Sequence, residues 1–145
     1  MTTFDLSRFE KEQRDSYAIA LREITNGLKV THWMWFIFPQ LAGLGHSNMS
    51  RTFAIAGLEE ARAYLADRRL GPRLTACAQA VLAVEGRTAT EIFGTTDAAK
   101  LRSCATLFAA VTPAGSVFDR VLEKCFDGSR DELTLRALSA GVPEM

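Results

Sequence analysis

The sequence has few of the residues from which metal centres and disulfide frameworks are built. It contains only three cysteines, Cys77, Cys104 and Cys125, and two histidines, His32 and His46. The cysteines are widely spaced, and no Cys-x-x-Cys or His-Glu-x-x-His motif occurs, so we expect three reduced thiols and no bound metal. The Gly-Lys-Ser/Thr phosphate loop and the full dinucleotide fingerprint are also missing, and we therefore expect no cofactor.

An excess of charge and a long apolar run are missing as well. Seventeen Lys and Arg residues balance seventeen Asp and Glu residues, whereas proteins that bind duplex DNA normally carry a basic excess. The longest apolar run, Trp33 to Phe38, is far shorter than the ~20 residues that span a bilayer. Residues 1–10 lack the apolar segment of a secretory signal. We therefore expect a cytoplasmic protein that binds neither duplex DNA nor a membrane.

The chain is rich in apolar residues, which make up 48% of it and recur at helical spacing. Glycines, prolines and capping sequences separate these stretches, and no segment alternates apolar and polar residues as a half-buried strand does. Thr88-Ala89-Thr90-Glu91 and Ser129-Arg130-Asp131-Glu132 are predicted as capping boxes at helix starts. The sequence predicts an all-α fold, a compact bundle of about seven or eight helices formed by residues 1–145 as a single domain.

The most unusual stretch is the aromatic motif, residues 32–40, which contains both tryptophans. Trp33 and Trp35 are two positions apart, and on a helix they diverge by roughly 200°, so one is predicted to enter the core and the other to border a pocket or a second helix. A buried indole needs a partner for its N–H group, and His32 and Gln40 are the polar residues that bracket the run. The motif is interpreted either as a core helix, the most buried segment of the protein, or as an aromatic wall for a flat ligand such as a nucleobase.

Two further segments carry groups suited to an anion. The first is the loop from Gly43 to Arg51, in which Ser47 is a candidate helix cap and Arg51 offers a guanidinium to a phosphate. The second is the predicted helix face with Lys100 and Ser103, which are i and i+3 neighbours. An ordinary capped loop and the polar side of an amphipathic helix are the alternative interpretations. We expect both segments to pack against the aromatic motif and to leave a polar pocket between them.

At these residues the chain resembles domain-of-unknown-function family 1810. The signature reads His32-Trp33-Met34-Trp35-Phe36-Ile37-Phe38-Pro39-Gln40-Leu41, followed by Gly43-Leu44-Gly45. The resemblance continues through Tyr64-Leu65, Leu70-Gly71-Pro72-Arg73-Leu74, Ile92-Phe93-Gly94, Lys100-Leu101-Arg102-Ser103, Thr106-Leu107-Phe108 and Thr134-Leu135. It implies a mainly helical domain from a bacterium, and no activity is established for the family.

Two positions depart from the family pattern. Asp67-Arg68 stands where the family usually has His-Pro, and Ala105 stands where it commonly has Met. Because this chain has Asp67 where the family usually has histidine, we expect no role common to the whole family for a histidine at that position. The name calpastatin, sometimes attached to the family, does not fit, because inhibitors of that type are polar and disordered.

Two functions remain open. The first is the binding of an anionic or nucleotide-like small molecule, with or without catalysis, by Trp33 or Trp35, Gln40, Ser47, Arg51, Lys100 and Ser103. His32 is the candidate general base, by residue type alone. The second is a non-enzymatic interaction module, whose partner protein the sequence does not identify and whose aromatic motif is only core. A cavity between the motif and the helix around residues 100–106 would favour ligand binding.

Overall fold

The computed structural model describes residues 4–140, and this part of the chain is all-α, as predicted. The helices are α1 (Ser7–Thr25), α2 (Met34–Ile37), α3 (Asn48–Thr52), α4 (Leu58–Ala66), α5 (Leu70–Ala83), α6 (Ala89–Phe93), α7 (Thr95–Ala109), α8 (Val117–Phe126) and α9 (Glu132–Ser139). Within residues 4–140 there are thus nine helices, slightly more than the predicted seven or eight, because three segments close into helices of only four or five residues. The ends of the expected domain, residues 1–3 and 141–145, lie outside the described residues.

Helix α7 lies at the centre of the fold. It packs against α6, α8 and α9, while α1 packs against α2 and α5. Its inner side is buried through Leu101, Cys104, Leu107 and Phe108, which follow the spacing of one helix face. Because α7 is central, its opposite and more polar side also faces other elements rather than open solvent.

A cluster of aromatic rings joins the first helix to the centre of the core. The Phe9 ring lies 5.1 Å from that of Tyr64 and 5.9 Å from that of Phe53, and Tyr64 lies 5.5 Å from Phe108. The buried Gln13 amide donates to the Phe36 carbonyl oxygen at 2.7 Å and to the Tyr64 hydroxyl at 3.0 Å. These contacts fix α2 against α1, and α2 carries the aromatic motif.

The corner between α4 and α5 depends on a glycine. A side chain at Gly71 would overlap the carbonyl oxygen of Leu65, so only glycine permits this close approach of the two backbones. Pro72 follows in the first turn of α5, where its missing N–H group costs no hydrogen bond.

One of the two predicted capping boxes is present and the other is wrong. Thr88 accepts from the Glu91 amide at 3.1 Å, and Glu91 accepts from the Thr88 amide at 2.8 Å. At the start of α9 the cap is Asp131 rather than Ser129, and it accepts from the Thr134 amide at 2.9 Å. Ser129 lies two residues before this cap position, because α9 begins at Glu132, and its hydroxyl accepts from Arg102 at 2.8 Å.

The three cysteines are free, as predicted. Cys77 and Cys104 are buried and Cys125 is half-buried. Burial raises the pKa of the Cys77 thiol to about 12 and also raises the pKa values of the other two thiols, so none is poised for nucleophilic chemistry. Within residues 4–140, no cluster of three or more His, Cys, Asp or Glu side chains is arranged to hold a metal. No helix in the same range combines the length and the apolar character needed to cross a membrane.

Candidate functional site

Helix α2 places the two tryptophans in different surroundings. Trp33, the residue before the helix, is 1% exposed and lies among Phe38 and Phe93, each with its ring 6.3 Å away. Its indole Nε1 donates to Glu23 at 2.8 Å. Trp33 is therefore a core residue with a satisfied polar group.

Glu23 is a buried carboxylate that binds four donors. Besides Trp33 it accepts from the backbone amides of Val30 and Thr31 at 2.8 and 3.0 Å and from the Thr31 hydroxyl at 2.7 Å. Burial acts to raise the pKa of this carboxyl, but the hydrogen bonds from Thr31, Val30 and Trp33 outweigh it and lower the pKa from 4.5 to about 2. The charged Glu23 thus ties α1 to the segment that leads into the aromatic motif.

Trp35 faces the other way and is only partly buried. Its Nε1 atom is enclosed, yet it is the one buried side-chain nitrogen or oxygen between residues 4 and 140 without a hydrogen-bond partner. The Lys100 ammonium lies over the indole, 5.0 Å from the ring centroid, at a distance that allows a cation–π contact. Trp35 therefore combines an unsatisfied donor with a ring that lies against the flexible side chain of Lys100.

Beside Trp35 lies a cavity of about 290 Å³, which we call the Trp35 cavity. Its wall comes from the aromatic motif and the following loop, from α3, from α7 and from the start of α9. The lining residues are Trp35, Gln40, Leu41, Leu44, Gly45, Ser50, Phe53, Thr96, Ala99, Lys100, Ser103, Asp131 and Leu133. The aromatic motif, the loop from Gly43 to Arg51 and the Lys100–Ser103 face thus all contribute to one cavity.

The α7 wall consists of Thr96, Ala99, Lys100 and Ser103, which share one face of the helix. Ser103 is only 7% exposed as a residue, but its hydroxyl oxygen is not enclosed, and it makes no hydrogen bond within residues 4–140. The hydroxyl is therefore open to the cavity that Ser103 lines. Trp35 Nε1 and the Ser103 hydroxyl thus give this wall two polar groups with unused hydrogen-bonding capacity.

The charge on this wall is positive. Asp97 lies 3.0 Å from the Lys29 ammonium and 3.6 Å from the Lys100 ammonium. Because two ammonium groups share one carboxylate, one positive charge remains uncompensated. Lys29 is nearly buried and also donates to the Thr31 carbonyl oxygen at 2.6 Å, so Lys100, with the longer contact, is the cation free to meet an anion.

The loop wall is held by a single parallel β-bridge between Leu41 and Ile55. The Ile55 amide donates to the Gln40 carbonyl oxygen at 2.8 Å, and this bond fixes the backbone at Gln40. Ser47 caps α3 by accepting from the Ser50 amide at 3.0 Å. A side chain at Gly45 would lie 2.5 Å from the Ser50 hydroxyl oxygen, so the loop can fold this tightly only with glycine there.

The structure divides the predicted site residues into two groups. Those that line the cavity are Trp35, Gln40, Lys100 and Ser103, and those that do not are Trp33, Ser47, Arg51 and His32. His32 and Arg51 are exposed. Ser47 caps α3 as expected, but neither Ser47 nor Arg51 lines the cavity, so the anion seat predicted at this five-residue helix forms no part of the cavity.

Sequence reasoning missed Asp131, Leu133, Phe53, Thr96 and Ala99 as lining residues. Thr96 and Ala99 could have been found, because they precede Lys100 and Ser103 by four residues on the same helix face. The sequence places Asp131 only in a predicted capping box. Because Asp131 and Lys100 are more than thirty positions apart, no local pattern indicates that they share a cavity.

Comparison with known proteins agrees with the sequence motifs. The model of the family described as protein of unknown function DUF1810 matches residues 3–138. The chain belongs to this family. The resemblance noted in the aromatic motif is thereby confirmed, and the DUF1810 match spans every element that lines the Trp35 cavity.

A solved structure of similar fold comes from Mycobacterium tuberculosis. It is the crystal structure of the conserved hypothetical protein Rv1873, which is 46% identical, covers 94% of this chain and 97% of its own, and superposes with a TM-score of 0.92. Among curated proteins, none is similar to this chain. The fold is therefore shared with a mycobacterial protein. A shared fold does not determine function, which depends on the residues of the site.

Proposed function

We propose that the Trp35 cavity binds a small organic anion with a flat ring, of the nucleotide-like type. The observation that carries the proposal is the wall itself, where the Trp35 indole with its unpartnered Nε1, the Lys100 ammonium and the Ser103 hydroxyl occur together. Leaving a buried donor such as Trp35 Nε1 unsatisfied destabilises a protein by about 1–3 kcal/mol. A ligand that gives this N–H group an acceptor recovers the loss, and that recovery favours binding at this place.

Each side of the cavity has a role in this proposal. The ligand ring packs on the Trp35 indole, on the face that the Lys100 ammonium covers. Lys100, whose stem is flexible, turns from the indole and from Asp97 to the anionic group. Ser103 and the Gln40 amide contribute hydrogen bonds at the edge of the ring.

The size of the cavity restricts the ligand. Pockets for small molecules range over about 300–1,000 Å³, and the Trp35 cavity, at about 290 Å³, lies at the lower end. We therefore propose a ligand no larger than a mononucleotide. A cytoplasmic location is part of the proposal and is supported by the free thiols, which persist in a reducing compartment.

The proposal concerns binding, and we assign no reaction to it. His32, the candidate general base, is exposed and does not line the cavity. The cavity between the aromatic motif and α7 favours ligand binding over an interaction module whose motif is only core.

The test is a thermal-shift and calorimetry series with inorganic phosphate, an aromatic carboxylic acid, nucleosides and nucleoside monophosphates. We expect a nucleoside monophosphate to raise the melting temperature, with a stabilisation of about 2.7 kcal/mol when its concentration is a hundred times its Kd. Lys100→Met, which keeps most of the stem, and Ser103→Ala should each weaken the response.

The matched control is Lys11→Met, which removes the same charge from an exposed position of α1 outside the cavity. This variant should respond as the unmodified protein does. The proposal is overturned if no probe shifts the melting temperature, or if Lys100→Met and Lys11→Met respond alike.

A further inference from the structure

We infer that Asp131 selects ligands with hydroxyl groups, so that the Trp35 cavity takes a ribose-containing nucleoside monophosphate rather than an aromatic acid. This inference rests on the proposed function and specifies its ligand. It starts from the fact that Asp131 lines the cavity on a different element from Lys100. The two side chains give the cavity one fixed negative and one mobile positive group.

Only one of the two Asp131 carboxylate oxygens accepts hydrogen bonds from the described part of the chain. Its Oδ2 atom accepts from the Thr134 amide at 2.9 Å and from the Thr134 hydroxyl at 2.6 Å. Its Oδ1 atom accepts no hydrogen bond from residues 4–140. An ionised carboxylate accepts about four hydrogen bonds when satisfied, so Asp131 keeps accepting capacity beside the cavity.

The backbone that carries Asp131 is held from two other helices. Arg102 of α7 donates to the Ser129 carbonyl oxygen at 3.0 Å and to the Arg130 carbonyl oxygen at 3.0 Å. The Asp131 amide donates to the Thr106 hydroxyl at 2.9 Å. Arg130 in turn pairs with Asp119 of α8 at 2.6 Å. Asp131 therefore cannot move away without breaking several contacts, and a ligand meets a carboxylate in a fixed position.

The charges then dictate the orientation of the ligand. A phosphate beside Asp131 would be repelled, so the anionic group lies at Lys100, where one positive charge is left over. The group at Asp131 has to be a donor. The ribose of a nucleoside monophosphate offers adjacent hydroxyls between its ring and its phosphate, and a carboxylate oxygen with free lone pairs accepts such donors well. An aromatic acid without hydroxyls leaves Asp131 unpaired.

The experiment compares a nucleoside monophosphate with its 2′,3′-dideoxy counterpart by calorimetry. We expect the unmodified protein to prefer the ribose form by roughly tenfold, the usual worth of a hydrogen bond to a charged group. Asp131→Asn keeps an oxygen for the Thr134 cap, since Asn caps helices as well as Asp, and replaces the other oxygen by an amide donor. In this variant the preference should fall to about twofold or less.

Two further variants serve as a control and as a replacement for Asp131→Asn. Asp127→Asn removes the same charge from an exposed position outside the cavity, and it should keep the full preference for ribose. Asp131→Ser also caps helices and removes the free carboxylate oxygen, so it replaces Asp131→Asn if the latter does not fold. Loss of the preference in Asp127→Asn would overturn the inference.

The outcomes separate the two proposals. If neither nucleotide binds, the proposed function fails and this inference fails with it. If both nucleotides bind equally and Asp131→Asn changes nothing, only the role of Asp131 is overturned. A zwitterionic aromatic amino acid is a third probe. If it binds more tightly than the nucleotide and Asp131→Asn abolishes that binding, Asp131 recognises an ammonium group and the hydroxyl assignment is wrong.

Discussion

Trp33 and Trp35 are two residues apart, and the regions around them differ in how they treat polar groups. Around Trp33 every donor has a protein acceptor, because Glu23 accepts the indole N–H, two amides and a hydroxyl. Around Trp35 the enclosed indole N–H has no acceptor among residues 4–140, and the Ser103 hydroxyl makes no hydrogen bond within the same residues. The first region uses its hydrogen bonds to hold the fold together. The second leaves polar groups unused, which is the contrast on which the proposed ligand site rests.

The largest expected effect is the loss of stability on emptying the Trp33 site. Trp33→Ala should destabilise the protein by about 3–5 kcal/mol, because it removes a fully buried aromatic side chain and one of the four hydrogen-bond donors to Glu23. Trp35 is only partly buried, so Trp35→Ala should cost less than half as much. Urea denaturation of both variants measures the difference, and equal losses would contradict the contrast between the two regions.

The Trp33 region should also respond to acid. The pKa of Glu23 is lowered from 4.5 to about 2 in the folded protein, so its charge stabilises the fold above pH 4.5. As the pH falls from about 4.5 to 2, the carboxyl becomes protonated in the folded state too, and about 3 kcal/mol is progressively lost. Denaturation of the protein and of Glu23→Gln between pH 7 and pH 2 tests this. The two stability curves should converge in acid, and parallel curves would refute the role of Glu23.

In the Trp35 region, a substitution should change the stability of the protein little and its response to a ligand strongly. Trp35→Phe loses some packing but also removes an unsatisfied N–H group, so the free energy of unfolding should change by less than about 1 kcal/mol. Tryptophan fluorescence provides the readout, because Trp33 remains as an internal reference. A nucleoside monophosphate should quench the emission of the unmodified protein and leave that of Trp35→Phe unchanged. Equal quenching in both proteins would place the ligand elsewhere.

The smallest stability effect is expected for Lys100→Met. The Lys100–Asp97 contact is 3.6 Å long and partly exposed, and such ion pairs contribute at most about 1 kcal/mol. Asp97 also keeps Lys29 as a partner at 3.0 Å. The melting temperature without ligand should therefore stay within about 2 °C of that of the unmodified protein, as expected for a change of under about 0.5 kcal/mol. A clearly larger drop would assign Lys100 to the fold rather than to the cavity.

The sequence predicts the all-α fold and half of the candidate site because both depend on local patterns. Helix spacing reveals α7 and its Lys100–Ser103 face. The predicted separation of Trp33 from Trp35 also holds, although Trp33 precedes α2 rather than lying on it. Asp131 and the partner of Trp33, Glu23, depend on packing between distant elements, which no local pattern encodes. Arg51 shows the reverse error, since a suitable residue type in a neighbouring segment is exposed and does not line the cavity.

The last helix has a consequence for how this family can diversify. Within α9 only Thr134 is buried, yet the helix and its cap supply Asp131 and Leu133 to the cavity wall. Thr134 is fully buried, and Ala137 and Leu138 pack against the core, so one side of α9 belongs to the fold and another to the cavity wall. Leu133, by contrast, is 59% exposed and lines the cavity. A different side chain at position 133 can therefore reshape this edge of the cavity in other members of the family at little cost to the core.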